Sequence, residues 1–124
     1  MRFRLIRGRD YSRFFDVYKD TNGKPFLKNS KKNISITHFD NWTLVVTSNK
    51  PIGIDVERMR AVSPPLWEFL GIEAGSKYRF FKEWTRREAL IKKENLKLGD
   101  IKTKKATNRC KTICLYPYVL SICY

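Results

Sequence analysis

The chain has 124 residues, of which 42% are hydrophobic and 14% aromatic. This length and composition favour one compact domain over residues 1–124 and exclude a disordered chain. Lysine and arginine number 26 against 12 acidic residues, which gives a formal net charge of +14. Such an excess favours a polyanionic partner: a nucleic acid, a phosphate-bearing small molecule, an anionic lipid or an acidic protein.

The sequence has no apolar run long enough for a signal peptide or a membrane span, so we expect a cytoplasmic protein with no membrane partner. Three cysteines, Cys110, Cys114 and Cys123, come late in the chain. Because their number is odd and no secretory signal is present, we expect them to be reduced thiols.

The first fifty residues alternate short apolar runs with turn residues, a pattern typical of strands and hairpins. Residues 4–15 fit a short helix only loosely. The turn signal at residues 20–23 predicts a hairpin with extended chain on both sides. Strands are predicted over residues 34–38 and 42–47. In the first of these strands, Thr37 and His38 should lie on opposite faces.

Residues 52–57 read as a further strand, which the turn at residues 48–51 should join to residues 42–47 as an antiparallel hairpin. Asp55 and Glu57 then share one face of this strand, because side chains alternate between faces. Two interpretations are open for this face. It is either a solvated outer surface or a site that supplies a cation or a metal ion to two neighbouring carboxylates.

Two helices are predicted next, a short one over residues 66–70 and a long one that starts at the N-cap candidate Ser76 and runs over residues 77–93. The apolar residues of the long helix recur at helical spacing and should face the core. Glu88 lies on this apolar stripe, and Lys92 follows one turn later. Glu88 either forms a boundary ion pair with Lys92 or points into a site that supplies a cation.

After the long helix the sequence becomes basic, with Lys102, Lys104 and Lys105 in this stretch. Two closing strands are predicted over residues 112–115 and 118–123, separated by a turn at Tyr116-Pro117. The elements together predict an α+β fold of small antiparallel sheets packed with a long helix.

Three acidic residues and one lysine therefore stand out: Asp55, Glu57, Glu88 and Lys92. Carboxylate oxygens together with phosphate oxygens are the ligands that Mg²⁺ prefers, and a nearby lysine neutralises the same phosphate. The chemistry indicated is metal-assisted transfer of a phosphate-containing group. A nucleic-acid-binding domain is less favoured, because gathered acids repel phosphate unless a metal ion intervenes.

Four blocks of the sequence occur in a characteristic order. They are Asn22-Gly23-Lys24-Pro25, Ile36-Thr37-His38-Phe39 followed by Trp42, Pro51-Ile52-Gly53-Ile54-Asp55-Val56-Glu57, and Trp84-Thr85-Arg86-Arg87-Glu88-Ala89-Leu90-Ile91-Lys92. In these blocks the chain resembles the 4′-phosphopantetheinyl transferases, and specifically their Sfp-type branch. The resemblance covers residues 16–92, and its last two blocks are the most specific.

The resemblance implies an enzyme that binds coenzyme A with Mg²⁺ and moves the phosphopantetheine arm onto a serine of an apo acyl or peptidyl carrier protein. It implies that Asp55, Glu57 and Glu88 bind the metal ion. Glu88 also matches the position proposed as base for the incoming serine, and Lys92 matches the lysine that contacts the reacting phosphate. Both residues are therefore implied to be catalytic.

The same resemblance implies a phosphate-binding set for coenzyme A, in which Lys24, Thr37 and His38 join Lys92. Sfp-type members usually have nearly twice this length and two similar halves. The implied fold is a reduced pseudo-dimer, with a reduced N-terminal half over residues 1–50 and a C-terminal half over residues 51–124 that holds the metal site.

Three alternatives accompany this interpretation. A homo-oligomer would supply the part of the fold that the shortened chain lacks. A degenerate relative would bind coenzyme A without efficient transfer. The third alternative is a small basic nucleic-acid-binding domain, suggested by the charge and the aromatic residues.

Overall fold

A computed structural model describes residues 1–96, 100–101 and 109–124, and Lys102, Lys104 and Lys105 of the basic stretch lie outside these ranges. The described residues form an α+β fold of small antiparallel sheets and two helices. The elements are β1 (Arg2–Arg7), β2 (Val17–Lys19), β3 (Pro25–Leu27), β4 (Asn33–Phe39), β5 (Trp42–Ser48), β6 (Gly53–Arg58), α1 (Pro64–Leu70), α2 (Lys77–Glu94), β7 (Cys110–Leu115) and β8 (Tyr118–Cys123). None of the helices in these ranges is long and apolar enough to cross a membrane.

The first sheet has the strand order β1-β5-β4. Residues 4–15, which fit a short helix only loosely, form no helix, because β1 occupies the start of this segment and pairs antiparallel with β5. Ile6 of β1 is buried whereas Phe3 and Leu5 are about half exposed. Ile6 is the one buried residue of β1, as suits a strand at the edge of a sheet.

The predicted hairpin at residues 20–23 is confirmed as the two-stranded sheet formed by β2 and β3. Asp20 organises its turn, because the Asp20 carboxylate accepts hydrogen bonds from the backbone N–H groups of Asn22 and Lys24. Gly23 has φ of +81°, a conformation that glycine adopts without steric cost.

The second three-stranded sheet has the order β6-β8-β7, so the expected hairpin of residues 42–47 with residues 52–57 was wrong. Strand β6 pairs with β8, in register from Gly53↔Cys123 to Arg58↔Tyr118. The turn at residues 48–51 does bring β5 and β6 together, but through side chains. Val46 packs with Ile54 in a buried cluster instead of sharing a hydrogen-bond ladder.

Both predicted helices are confirmed. Helix α1 ends at Gly71 in the left-handed conformation, and the Ser76 side chain caps α2 by accepting a hydrogen bond from the backbone N–H of Arg79. The apolar stripe of α2 packs on α1, with Phe80 and Trp67 edge to face in one core cluster.

Helix α2 also packs directly on β6, and the contact is made at Gly53. A Cβ atom added to Gly53 would lie 1.8 Å from the carbonyl oxygen of Ala89 and 2.6 Å from the backbone nitrogen of Lys93. Glycine therefore permits the backbone of β6 to approach the helix. This close approach places the neighbouring Asp55 against α2.

The expectation of reduced thiols was wrong for two of the three cysteines. Cys110 and Cys123 form a disulfide, whereas Cys114 is free and exposed. Cys110 and Cys123 are opposite each other in the antiparallel register of β7 and β8. Their Cα atoms are 4.1 Å apart, a separation that the sequence positions of the two residues do not reveal.

Candidate functional site

Asp55 lies where β4, β6 and α2 meet, and only 6% of its surface is exposed. The solvated-face interpretation is therefore wrong for this residue. Asp55 Oδ1 accepts a long hydrogen bond from the Thr37 hydroxyl (3.4 Å) and lies 3.5 Å from Lys92 Nζ. Asp55 Oδ2 is buried and has no hydrogen-bond partner among the residues that the structure describes. An orphaned carboxylate oxygen of this kind is costly unless a proton or a cation satisfies it.

Burial raises the pKa of Asp55 from 3.8 to about 7. Lys92 opposes this rise, whereas the negative charges of Glu57 and Glu88 add to it. Because both glutamates affect Asp55 through their charges, the three predicted metal-binding acids form one electrostatically coupled set.

The two glutamates sit differently. Glu57 is half-buried and pairs with Arg60 at 3.4 Å. Glu88 is half-buried too, and burial raises its pKa, opposed by Lys92 and reinforced by Glu57. Within the described ranges, no three His, Cys, Asp or Glu side chains converge closely enough to hold a metal ion as they stand.

Lys92 links the two three-stranded sheets. Its ammonium group donates to the carbonyl oxygen of Ile36 on β4 (3.1 Å) and to that of Ile54 on β6 (3.0 Å). Of the two alternatives for Glu88, the boundary ion pair with Lys92 is not found among the ion pairs of the described residues, and Lys92 contacts Asp55 instead. Since an ammonium group has three donors, these contacts occupy all of them.

A cleft of about 270 Å³ opens beside this point, between the β2–β3 hairpin, β4 and the C-terminal end of α2. Its charged and titratable lining residues are Lys19, Lys24, His38, Glu88 and Lys92. Cations outnumber the single acid, so the cleft suits an anionic ligand.

Lys24 lines the cleft, but its ammonium group is engaged at the end of α2, where it donates to the carbonyl oxygens of Lys92 and Lys93. A cation is favoured at this position by the helix dipole and the unsatisfied carbonyls. Burial lowers the pKa of Lys24, and the Asp20 charge opposes that shift. Asp20 also accepts a hydrogen bond from Asn95 Nδ2 (2.7 Å), so the hairpin is docked on the helix end.

His38 lines the same cleft with its ring near Tyr11. His38 Nδ1 lies 2.7 Å from the hydroxyl oxygen of Thr43, which donates its own proton to the carbonyl of Gly8. The histidine therefore donates from Nδ1, which makes Nε2 the acceptor nitrogen of the neutral ring. Burial lowers the pKa of His38, and the charge of Arg9 lowers it further.

Thr37 was predicted to bind nucleotide phosphates, but its buried hydroxyl lies between β4 and β6 and does not line the cleft. The structure thus brings Thr37, Asp55 and Lys92 into direct contact. Glu88, Lys24 and His38 are gathered around the cleft, and Glu57 is turned toward Arg60. This arrangement leaves the predicted roles as predictions.

Sequence reasoning missed several residues that build this region. Ser35, two residues before Thr37, shares its strand face, and this spacing was the only signal for it. Asn95 and Tyr11 shape the cleft, but each belongs to a segment whose position depends on distant contacts.

Comparison with known proteins gives a partial likeness. No family model matches the chain. A curated relative, "4'-phosphopantetheinyl transferase gsp" from Aneurinibacillus migulanus, is 29% identical over 85 residues. The match takes in 60% of this chain and 35% of the relative, so the chain spans about a third of the length of that relative.

Proposed function

We propose that this chain transfers the 4′-phosphopantetheine group from coenzyme A to a serine of an apo acyl or peptidyl carrier protein, in a Mg²⁺-dependent reaction. The observation that carries the proposal is the buried Asp55, which has one orphaned oxygen and lies against Lys92, a residue that lines the basic cleft. The partial likeness to a phosphopantetheinyl transferase supports the same reaction.

Asp55, Glu57 and Glu88 would hold the metal ion. The donor chemistry fits, because all three offer hard carboxylate oxygens and Asp55 Oδ2 has no hydrogen-bond partner. Glu57 would have to turn from Arg60 to join them. When bound, Mg²⁺ would neutralise charge on the pyrophosphate of coenzyme A.

The lysines around the cleft, and His38 when its ring is protonated, would bind the phosphates of coenzyme A. Lys24 and His38 line it, and Lys92 would give its long contact with Asp55 to a phosphate oxygen once that carboxylate has another partner. Thr37 would act from between the strands, by holding Asp55 in place.

Glu88 would serve as the base, because it lines the cleft and its pKa is raised. The serine oxygen bonds to the phosphorus of the phosphopantetheine group, and the pyrophosphate bond to adenosine 3′,5′-bisphosphate breaks. Glu88 takes the serine proton. Lys92 counters the negative charge that develops on the leaving phosphate, and a metal ion held by the three acids would add to this stabilisation.

The two three-stranded sheets would correspond to the two halves of the proposed enzyme. In the proposal, residues 1–50 are the reduced N-terminal half and residues 51–124 the C-terminal half of a single Sfp-type pseudo-dimer. The phosphate-binding residues Lys24 and His38 come from the first half, and the acids come from the second.

Transfer of fluorescent phosphopantetheine from labelled coenzyme A to a panel of apo carrier proteins, followed by gel, tests the proposal. We expect Mg²⁺-dependent labelling by the wild type and none by Asp55→Ala or Glu88→Ala, with circular dichroism confirming that both fold. Asp16→Ala is the control, because Asp16 is an exposed carboxylate of the hairpin that pairs with Lys28.

Wild-type rates in Asp55→Ala or Glu88→Ala would refute the site. Saturable coenzyme A binding without transfer to any carrier would instead identify a coenzyme A-binding relative. Salt-sensitive binding of nucleic acid without affinity for coenzyme A would favour the nucleic-acid-binding alternative.

A further inference from the structure

Strands β4 and β6 lie side by side but belong to different sheets, each at the edge of its own. An edge strand carries a row of backbone N–H and C=O groups that need partners when they are buried. Along this boundary, which we call the seam, Ile54 of β6 is fully buried. Water therefore does not satisfy its backbone groups.

Two hydroxyl groups of β4 satisfy the N–H groups of β6. The Ile54 N–H donates to Ser35 Oγ at 3.1 Å, and the Val56 N–H donates to Thr37 Oγ1 at 3.2 Å. Ser35 and Thr37 are only 2% and 3% exposed. The two hydroxyl residues lie two positions apart on one face of β4. This spacing matches the two N–H groups from which they accept hydrogen bonds, which also lie two residues apart on β6.

Lys92 of α2 satisfies the carbonyl groups of the same seam, because it donates to Ile36 on β4 and to Ile54 on β6. The seam is therefore a ladder in which side chains replace backbone hydrogen bonds. Its spacing depends on the length of two hydroxyl side chains and one lysine.

We propose that Ser35 is a positioning residue, whose hydroxyl holds the carboxylate strand β6 at a fixed distance from β4. The effect of Ser35 on catalysis rests on the proposed function. Strand β4 carries His38 and β6 carries Asp55, so the seam sets how the phosphate-binding and metal-binding residues face each other. A misplacement of about 1 Å in such a site costs up to roughly 100-fold in rate.

Amide hydrogen exchange of Ile54, measured by NMR, tests the hydrogen bond without any activity assay. We expect slow exchange in the wild type, at least about tenfold faster exchange in Ser35→Ala, and recovery in Ser35→Thr, which keeps a hydroxyl. Thr112→Val is the matched control, because Thr112 is a hydroxyl residue on β7 at the far edge of the same sheet, bonded to Ser121 and Arg86. It should leave Ile54 exchange unchanged.

Exchange of Ile54 in the wild type at the rate of an exposed amide would overturn the proposal, and this holds even if Ser35→Ala does not fold. Unchanged Ile54 exchange in a folded Ser35→Ala would overturn it too. Neither result depends on transfer activity.

Steady-state kinetics test the positioning. In Ser35→Ala we expect kcat for transfer to fall by about tenfold or more while KM for coenzyme A stays within about twofold, and Ser35→Thr should restore kcat. A loss of kcat no larger than that of Thr112→Val would refute the positioning role. Absence of transfer by the wild type would refute the proposed function, and the exchange result would still decide whether Ser35 holds the seam.

Discussion

The two three-stranded sheets are built on different supports. Sheet β6-β8-β7 lies against the long helix α2, and Gly53 lets the two backbones touch. Sheet β1-β5-β4 packs against a loop and a hairpin instead of a helix. The loop contributes Tyr11 and Phe15, and the hairpin contributes Val17 and Leu27. Sheet β6-β8-β7 supplies Asp55, and sheet β1-β5-β4 supplies His38.

This difference shows that the fold holds the acidic and the basic residues of the candidate site in different ways. A carboxylate that must stay buried beside other carboxylates needs a rigid support, which the contact between helix and strand provides. Lys24, one of the cations that line the cleft, lies in the hairpin, which is docked at the end of α2 through Asp20 and Lys24. We therefore expect the helix-backed sheet to be sensitive to packing and the other sheet to tolerate local change.

Two glycine substitutions test this contrast most strongly. Gly53→Ala should lower the free energy of unfolding by roughly 3 kcal/mol or more, since its Cβ would overlap the Ala89 carbonyl oxygen of α2. Gly23→Ala has open space around it and should cost only about 1–2 kcal/mol, from its positive φ. Urea denaturation measures both, and equal losses would contradict the contrast.

The pH dependence of the free energy of unfolding tests the contrast between the two sheets further. Because the pKa of Asp55 is raised from 3.8 to about 7, the folded state holds a proton that the unfolded state has lost. The free energy of unfolding of the metal-free protein should therefore fall as pH rises from about 4 to 7, and level off above. Denaturant melts in a chelator should show this slope in the wild type and in Asp16→Asn. A slope that persists undiminished in Asp55→Asn would assign it to other groups.

The smallest expected effect lies on the other sheet, at His38, the single histidine of the chain. Burial and the charge of Arg9 lower its pKa from 6.5, so an NMR titration should give a midpoint below that value. Arg9→Gln should move the midpoint part of the way back, because burial is the larger cause. Arg13→Gln, whose charge is not among the causes, should leave it in place. A wild-type midpoint at or above 6.5 would count against the buried position.

Elements that depend on local signals were predicted well from the sequence, whereas pairings between residues far apart in the chain were not. Helix α2 was predicted nearly to its last residue because its cap, its apolar stripe and its lack of glycine are local signals. The partner of β6 was wrong because a nearby strand was favoured over β8, which lies more than sixty residues further along the chain. The Cys110–Cys123 disulfide spans only 13 residues and was missed for a different reason, because the odd number of cysteines and the absence of a secretory signal had indicated reduced thiols.

The candidate site shows the same division. The spacing of Asp55 and Glu57 indicated a shared strand face, but it did not show that one residue is buried and the other pairs with Arg60. The position of Lys92 on α2 was predictable, whereas its bonds to two separate strands were not. Such bonds exist only after both sheets have assembled on the helix.

The central claim is that the acids of β6 and α2 and the cations around the cleft form one site for coenzyme A and Mg²⁺. Isothermal titration of coenzyme A, with and without Mg²⁺, tests it most directly. We expect Mg²⁺ to lower Kd at least about tenfold in the wild type, equivalent to roughly 1.4 kcal/mol, and to have no such effect in Asp55→Asn. The same Kd with and without Mg²⁺ in the wild type would contradict the account.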